Sequence, residues 1–105
     1  MIEPIIFEND FKFEDGYQCL YFYINDMPFH KKMISMIENL SIKFPMIKYY
    51  FINASIIEKS FLKRFDILEV PIILLFNNSI KLLEVKGVVL QSSIKHQFNN
   101  VLYGR

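Results

Sequence analysis

The chain has 105 residues, of which 52% are hydrophobic and 16% aromatic, and its formal net charge at pH 7 is +1. A chain of this length is expected to form a single domain, here residues 1–105, and its apolar side chains are numerous enough to build a core without disulfides or metals. The near-neutral charge, without long runs of lysine or arginine, argues against direct binding to nucleic acid or to an anionic membrane.

The chain also lacks the sequence features of secreted and membrane-spanning proteins. Its single cysteine, Cys19, excludes an internal disulfide. The longest apolar run, residues 70–76 (VPIILLF), is far shorter than the roughly 20 residues of a membrane-spanning helix. The first ten residues (MIEPIIFEND) have no basic start followed by a sustained apolar stretch. We therefore expect a soluble, cytoplasmic protein with no membrane contact.

The first part of the chain predicts two strands. Residues 3–7 (EPIIF) predict a short strand, and the polar residues 8–17 (ENDFKFEDGY) predict a connection that can include a helical turn. Residues 19–24 (CLYFYI) are all apolar or aromatic, which is typical of a strand that is covered on both faces.

An amphipathic helix is predicted to start near residue 29. Apolar residues recur there at spacings of three and four, with polar residues on the other side of the helix. They are Phe29, Met33, Met36, Ile37, Leu40 and Phe44. Asn25 or Asp26 is expected to cap the helix, and Pro28 suits its first turn because the missing N–H would have no partner there.

A third strand and a second helix follow this first helix. Residues 47–52 (IKYYFI) predict the strand. Ser55 and Glu58 form the S-x-x-E pattern of a capping box, which predicts a helix that ends near Phe65.

The last part of the chain predicts a hairpin and a helix. Residues 70–76 and 80–86 are rich in β-formers, and the turn-forming residues 77–79 (NNS) separate them. Gly87 is expected to end the hairpin. The final helix is predicted from about residue 92 to residue 103, with an apolar face.

This order of elements resembles the thioredoxin fold over nearly the whole chain. The best match, residues 70–87 (VPIILLFNNSIKLLEVKG), looks like the thioredoxin segment in which a cis-proline opens the third core strand and a glycine closes the fourth. The resemblance implies an α/β, thioredoxin-like fold with a mixed central β-sheet flanked by helices. It also makes Pro71 the candidate cis-proline, and a proline suits the start of a strand because it has no N–H to donate.

On that frame, the Cys-x-x-Cys site of thioredoxins falls on Met27, Pro28, Phe29 and His30. Thioredoxin chemistry requires a reactive thiolate and a second thiol that resolves the mixed disulfide, and both are missing here. Cys19 lies earlier, in a predicted strand, and is expected to be a buried apolar residue. We therefore predict a protein that is not an enzyme, with no catalytic residues.

Residues 20–55 resemble the thioredoxin-like domain of phosducin-like proteins. The shared features are a strand that ends in tyrosine, an apolar-Pro-apolar element in place of the first cysteine, and a Lys-Phe-Pro-x-Val/Ile-Lys element, here residues 43–48 (KFPMIK). The resemblance implies a redox-inactive adaptor that binds proteins. The implied partner is the cytosolic chaperonin that folds actin and tubulin, or a G-protein βγ-like complex.

Two other functions remain open. Phosducin-like proteins carry a long helical N-terminal extension and an acidic C-terminal tail, which the resemblance does not cover. Other cysteine-less thioredoxin folds, including spliceosomal ones, are small subunits of large assemblies, so the alternative is a structural subunit of a protein or ribonucleoprotein assembly. The competing enzyme class is a monothiol or histidine-based activity.

The vacated active-site rim is the predicted partner-binding site. Relatives dock an extended peptide beside the cis-proline, and an apolar patch with polar neighbours suits such a contact. Met27 and Phe29 are expected to be exposed there, unless the chain's own N-terminal segment covers them. The predicted site consists of Asp26, Met27, Pro28, Phe29, His30, Val70 and Pro71.

No metal or other cofactor is predicted. The two histidines, His30 and His96, fall on different helices, and Cys19 falls in a strand. A zinc site needs three or four ligands that converge on one point.

Overall fold

The computed structural model describes residues 2–104. Its strands are β1 Ile2–Ile5, β2 Tyr17–Tyr23, β3 Ile47–Asn53, β4 Ile72–Asn77 and β5 Ile80–Lys86. Its helices are α1 His30–Lys43, α2 Lys59–Arg64 and α3 Gln91–Tyr103, and a short 3-10 turn spans Glu8–Asp10. The helical turn that was predicted in the first connection is therefore confirmed.

The strands form one mixed sheet in the order β1-β3-β2-β4-β5. Strands β1 and β2 run parallel to β3, whereas β4 is antiparallel to both β2 and β5. The five middle residues of β2 are all buried, as the continuous apolar run predicted for a strand covered on both faces.

The sheet is covered on both faces by apolar clusters. Side chains that alternate along β2 point to opposite faces, so Tyr21 joins one cluster and Phe22 the other. Helices α1 and α3 cover the face to which Tyr21 points. On the second face, Phe61 of α2 packs with Phe11, which comes from the connection between β1 and β2.

A buried tyrosine fixes the end of α1 on the sheet. The hydroxyl group of Tyr49 in β3 donates to the carbonyl oxygens of Leu40 and Phe44, at 3.0 and 3.1 Å. The Leu40 carbonyl also accepts the N–H of Phe44 at 2.7 Å, and the Phe44 carbonyl accepts the N–H of Ile47 at 3.3 Å, so the tyrosine adds to the hydrogen bonds that end α1. The C-terminal end of α1 is therefore held on β3.

Helix α1 starts at His30, within one residue of the prediction, but the predicted caps are wrong. Phe29 is the N-cap, in a left-handed conformation (φ 63°, ψ 18°) and without a side-chain cap. The chain makes a turn over residues 25–29 before the helix begins. Because of this turn, Asn25 and Asp26 come too early to cap the helix, and Pro28 precedes its first turn.

The capping box of the second helix is also wrong. Glu58 is the N-cap of α2, but its side chain does not cap the helix; its carboxylate accepts a hydrogen bond from the backbone N–H of Glu8 instead. The Ser55 hydroxyl donates to Oδ1 of Asn53 at 2.6 Å. A local contact with Asn53 engages Ser55, and a contact with the distant residue Glu8 engages Glu58, so neither side chain caps α2.

The hairpin and the proline geometry are confirmed. Asn78 and Ser79 have φ angles of 50° and 65°, as a two-residue turn between twisted strands requires. The peptide bond between Val70 and Pro71 is cis. None of the helices within residues 2–104 is long and apolar enough to cross a membrane.

Candidate functional site

The predicted rim residues come from two segments that meet at the end of the sheet where β2 has its carboxyl end. The turn of residues 25–29 follows the carboxyl end of β2. Strand β4 runs antiparallel to β2, and its first residue, Ile72, pairs with Phe22 near the end of β2. Pro71 therefore lies at the same end of the sheet as the turn, as the resemblance implied.

Met27 is buried, which corrects the prediction that it is exposed. Only 9% of its surface is accessible, and it belongs to the apolar cluster on the face of the sheet that α1 covers. The turn folds back on itself, with the Met27 N–H 3.4 Å from the carbonyl oxygen of Ile24. Met27 therefore stabilises the core and offers little surface to a partner.

Phe29 is the exposed aromatic residue at this position. Its side chain is 58% accessible, and Nζ of Lys32 lies 5.6 Å from the centre of its ring. Its carbonyl oxygen accepts the N–H of Met33 at 3.0 Å, which starts the helix. A left-handed conformation costs a bulky residue roughly 1–2 kcal/mol, and such strained residues concentrate at functional sites.

His30 is half-buried and packs onto the sheet. Its ring stacks on Tyr23 at 4.8 Å, and Tyr23 stacks on Tyr21 at 5.4 Å. Burial raises the pKa of Tyr23. Nδ1 of His30 is shielded from solvent and has no hydrogen-bond partner within residues 2–104. The imidazole therefore anchors the start of α1 to the sheet.

The remaining rim residues differ in exposure. Asp26 and Pro28 are exposed, whereas Val70 and Pro71 are half-buried. Val70 packs against the cluster on the α2 face of the sheet. The carbonyl oxygen of Pro71 accepts the N–H of Gly87 at 2.9 Å, which attaches the connection between β5 and α3 to the rim.

A groove beside Phe29 was not predicted. Its volume is about 640 Å³, and it lies between the first turns of α1 and residues 88–91. Val88 and Leu90 are exposed, with Leu90 75% accessible, whereas Met33 and Met36 are buried. Three consecutive apolar residues (VVL) in a connection after a glycine were the available signal, because connections are usually polar.

The charged residues that line the groove are both basic. They are Lys31 and Lys32, and neither forms an ion pair within the described residues 2–104. At the α3 side of the groove, Gln91 accepts a hydrogen bond of 3.1 Å from the side-chain amide of Asn39 in α1. This bond links the two sides of the groove.

Cys19 is buried, as predicted, and lies away from the rim. It is 1% accessible, and burial raises the pKa of its thiol. Its neutral thiol in the core cannot serve as the nucleophile of a thiol exchange. Within residues 2–104, no group of three or more His, Cys, Asp or Glu side chains is arranged to hold a metal ion.

The described N-terminal residues make their contacts elsewhere. Strand β1 pairs with β3 at one edge of the sheet. The carboxylate of Glu8 accepts a hydrogen bond from the Ser60 hydroxyl at 3.1 Å, which places the 3-10 turn beside α2. Phe29 remains exposed.

Three features define a thioredoxin-like fold. They are the sheet order, the helix α1 that follows the central strand β2, and the cis-proline that precedes β4. The structure is similar to thioredoxin from Trypanosoma brucei brucei, with a TM-score of 0.74 and 16% identity, over 85% of this chain and 77% of that one. A mutant thioredoxin from Halobacterium salinarum NRC-1 gives 0.72 and 15%, over 83% and 75%.

A designed protein is similar over more of the chain, with a TM-score of 0.85 and 16% identity, covering 95% of this chain and 91% of that one. No protein-family model matches the sequence, and no curated protein matches it. Structural likeness at these identities establishes the fold alone.

Proposed function

We propose that this chain is a redox-inactive protein-binding module that recognises its partner at the vacated active-site rim. The observation that carries the proposal is Phe29, an exposed aromatic ring in a strained conformation where thioredoxins have their reactive site. Aromatic residues are favoured at protein contacts because they offer a large apolar surface at a low entropic cost.

The phosducin-like role is proposed from the sequence resemblance. Residues 43–48 (KFPMIK) join α1 to β3, with Phe44 buried in the core and Met46 exposed. On this proposal the protein is an adaptor or a cofactor of the cytosolic chaperonin, or binds a G-protein βγ-like complex. Such a cofactor binds and leaves its partner reversibly.

A thiol-based or histidine-based enzyme is the less favoured class. The thiol of Cys19 is buried, and the ring of His30 stacks on Tyr23. A disulfide-reduction assay separates the classes. We expect the wild-type protein to give the buffer baseline, whereas turnover that disappears in Cys19→Ser or His30→Ala would contradict the proposal.

A small subunit of a larger assembly is the second candidate. It is favoured by exposed aliphatic side chains that do not belong to the predicted rim, at Ile42, Ile56 and Leu68. A subunit covered by several neighbours would bury these residues in the assembly. It would co-purify with its neighbours at a fixed stoichiometry.

The deciding experiment is a native pull-down of the tagged protein from its own cells, with co-purified proteins identified and their ratios measured. Substoichiometric chaperonin subunits would support the cofactor, and a fixed one-to-one set of other proteins would support the subunit. Phe29→Asp is expected to abolish the capture of the partner. The control is Ile42→Asp, at a residue that is 77% accessible and lies at the C-terminal end of α1, the end opposite to the rim.

Both substitutions replace an exposed apolar residue by an aspartate. A difference in partner capture between them therefore reports on the position of the substitution and not on its chemistry. Neither variant should have a thermal midpoint well below that of the wild type, because both residues are exposed. Equal capture by Phe29→Asp and the wild type would contradict a partner site at the rim. The partner would then have to bind another surface.

A further inference from the structure

We propose that the groove between Phe29 and Leu90 binds an acidic, apolar segment of the partner protein. Bulky apolar side chains of the segment enter the groove, and neighbouring Asp or Glu side chains pair with Lys31 and Lys32. The inference rests on the proposed function, because it names the chemistry of the partner that this rim would recognise.

The lining of the groove suits apolar side chains. Its volume of about 640 Å³ lies within the roughly 300–1,000 Å³ of pockets that enclose small ligands. Phe29, Val88 and Leu90 expose apolar surface, and Met33 and Met36 line the groove as well. Methionine side chains adapt to different shapes, which is useful in a surface that accepts several apolar side chains.

The charges at the groove determine which sign of charge the partner segment should carry. Lys31 and Lys32 carry the charge, and the residues that line the groove include no Asp or Glu. Neither lysine is engaged by an acid elsewhere in the described part of the chain. Acidic residues beside the docked apolar side chains would be attracted, and basic residues would be repelled.

The backbone at Phe29 is an independent indication of function. Glycine or asparagine would adopt φ 63° with less strain, yet the position holds a large aromatic residue that is mostly exposed. The strain therefore has no compensation from burial of the ring. It is accounted for if the ring is needed at the surface to contact a partner.

The two sides of the groove are held at a fixed separation. The bond between Asn39 and Gln91 joins α1 to the start of α3. The carbonyl oxygen of Leu90 accepts the N–H of Ile94 at 3.1 Å, which fixes Leu90 at the start of α3. A preorganised groove loses less entropy on binding than a flexible one does.

A second copy of this chain is the rival occupant. Ile6 and Phe7 are exposed and adjoin Glu8 and Asp10, so this segment has the same acidic and apolar character. Its carboxylates are already engaged, however. Asp10 accepts the backbone N–H of Phe7 at 2.9 Å, and Glu8 binds Ser60. Residues 66–69 (DILE) are a second acidic and apolar segment, with Leu68 exposed and no ion pair at Asp66 or Glu69 within residues 2–104, so the sedimentation experiment below tests the second copy directly.

The test uses short random peptides displayed on phage and selected against the immobilised full chain. Enriched peptides are synthesised with a fluorophore, and their dissociation constants are measured by polarisation. We expect the enriched peptides to carry aromatic or aliphatic residues next to Asp or Glu. The double variant Lys31→Glu, Lys32→Glu should weaken binding by about tenfold or more, and added salt should weaken binding to the wild type.

The matched control is Lys59→Glu, Lys63→Glu, which reverses two exposed lysines on α2 and should leave the affinity unchanged. Leu90→Asp should abolish binding. Enriched peptides without acidic residues, or peptides that bind Leu90→Asp normally, would overturn the inference. If those peptides still require Phe29, the rim remains the binding site and only the groove is excluded.

Two further outcomes also count against the inference. A selection that enriches nothing over a Leu90→Asp bait would overturn it. Self-association of the wild type in sedimentation experiments, if Leu90→Asp abolishes it, would make a second copy the occupant. The proposed function fails separately, if the native pull-down is insensitive to Phe29→Asp.

Discussion

The backbone N–H of Gly87 donates a hydrogen bond to the carbonyl oxygen of Pro71 at 2.9 Å. This bond joins the cis-proline segment of the rim to the connection that carries Val88 and Leu90. Gly87 has a φ of 82°, and a Cβ added there would meet no atom within 4 Å. A glycine is therefore required at position 87 by the backbone conformation and not by a lack of space.

Replacing Gly87 by alanine should lower the free energy of unfolding by about 1 kcal/mol, because the left-handed region is costly for a residue with a Cβ. It should also weaken binding of the selected peptides, because residues 88–90 would shift. Gly16→Ala is the matched control, since Gly16 has a φ of 93° and open space but lies outside the groove.

Both variants are measured by urea unfolding and by peptide binding. We expect similar losses of stability and a loss of affinity in Gly87→Ala alone. Equal affinities in the two variants would show that the Gly87 bond does not position the groove.

Met27→Asp and Phe29→Asp should have opposite effects. Met27 is buried in the core, so an aspartate there should lower the free energy of unfolding by about 3 kcal/mol or more. Phe29 is exposed and in the left-handed region, which aspartate tolerates better, so the same substitution there should raise the free energy of unfolding by about 0.5 kcal/mol. Thermal and urea unfolding measure both effects. A stable Met27→Asp variant would contradict the burial of Met27.

Phe29→Asn should stabilise the protein while it reduces binding. Asparagine tolerates the left-handed conformation, so relief of strain should raise the free energy of unfolding by about 0.5–1 kcal/mol. Leu68→Asn, at an exposed position without a positive φ, should give no such gain. A destabilised Phe29→Asn variant would mean that the ring supports the fold, and that the strain needs no functional explanation.

Cys19 should resist thiol reagents in the native protein. Its side chain is buried, and the raised pKa of its thiol keeps the reactive thiolate scarce. Labelling should be about a thousandfold slower than in denaturant, because it requires unfolding of the core. Ser92→Cys places a thiol on an exposed position of α3 and should react at once. Rapid labelling of Cys19 in the wild type would contradict its burial.

Local sequence patterns were sufficient where neighbouring residues set the structure. The buried strand β2 follows from a continuous apolar run, the turn at residues 77–79 from turn chemistry, and the apolar face of α1 from a short-range period. The caps of α1 were missed because the chain makes a turn over residues 25–29 before the helix begins, and the cap of α2 was missed because a contact distant in sequence engages Glu58. Glu58 binds the backbone of Glu8, which lies 50 residues away.

The sequence by itself determined the order of strands and helices, the hairpin and the lack of a thiol at the rim, because residue identity and short-range periodicity carry this information. Only the tertiary structure decided that Met27 is buried and Phe29 exposed, although both lie in the same turn. It also decided that residues 88–91 face α1 across a groove. Side-chain direction in a turn, and the proximity of segments far apart in the chain, depend on packing that no local pattern encodes.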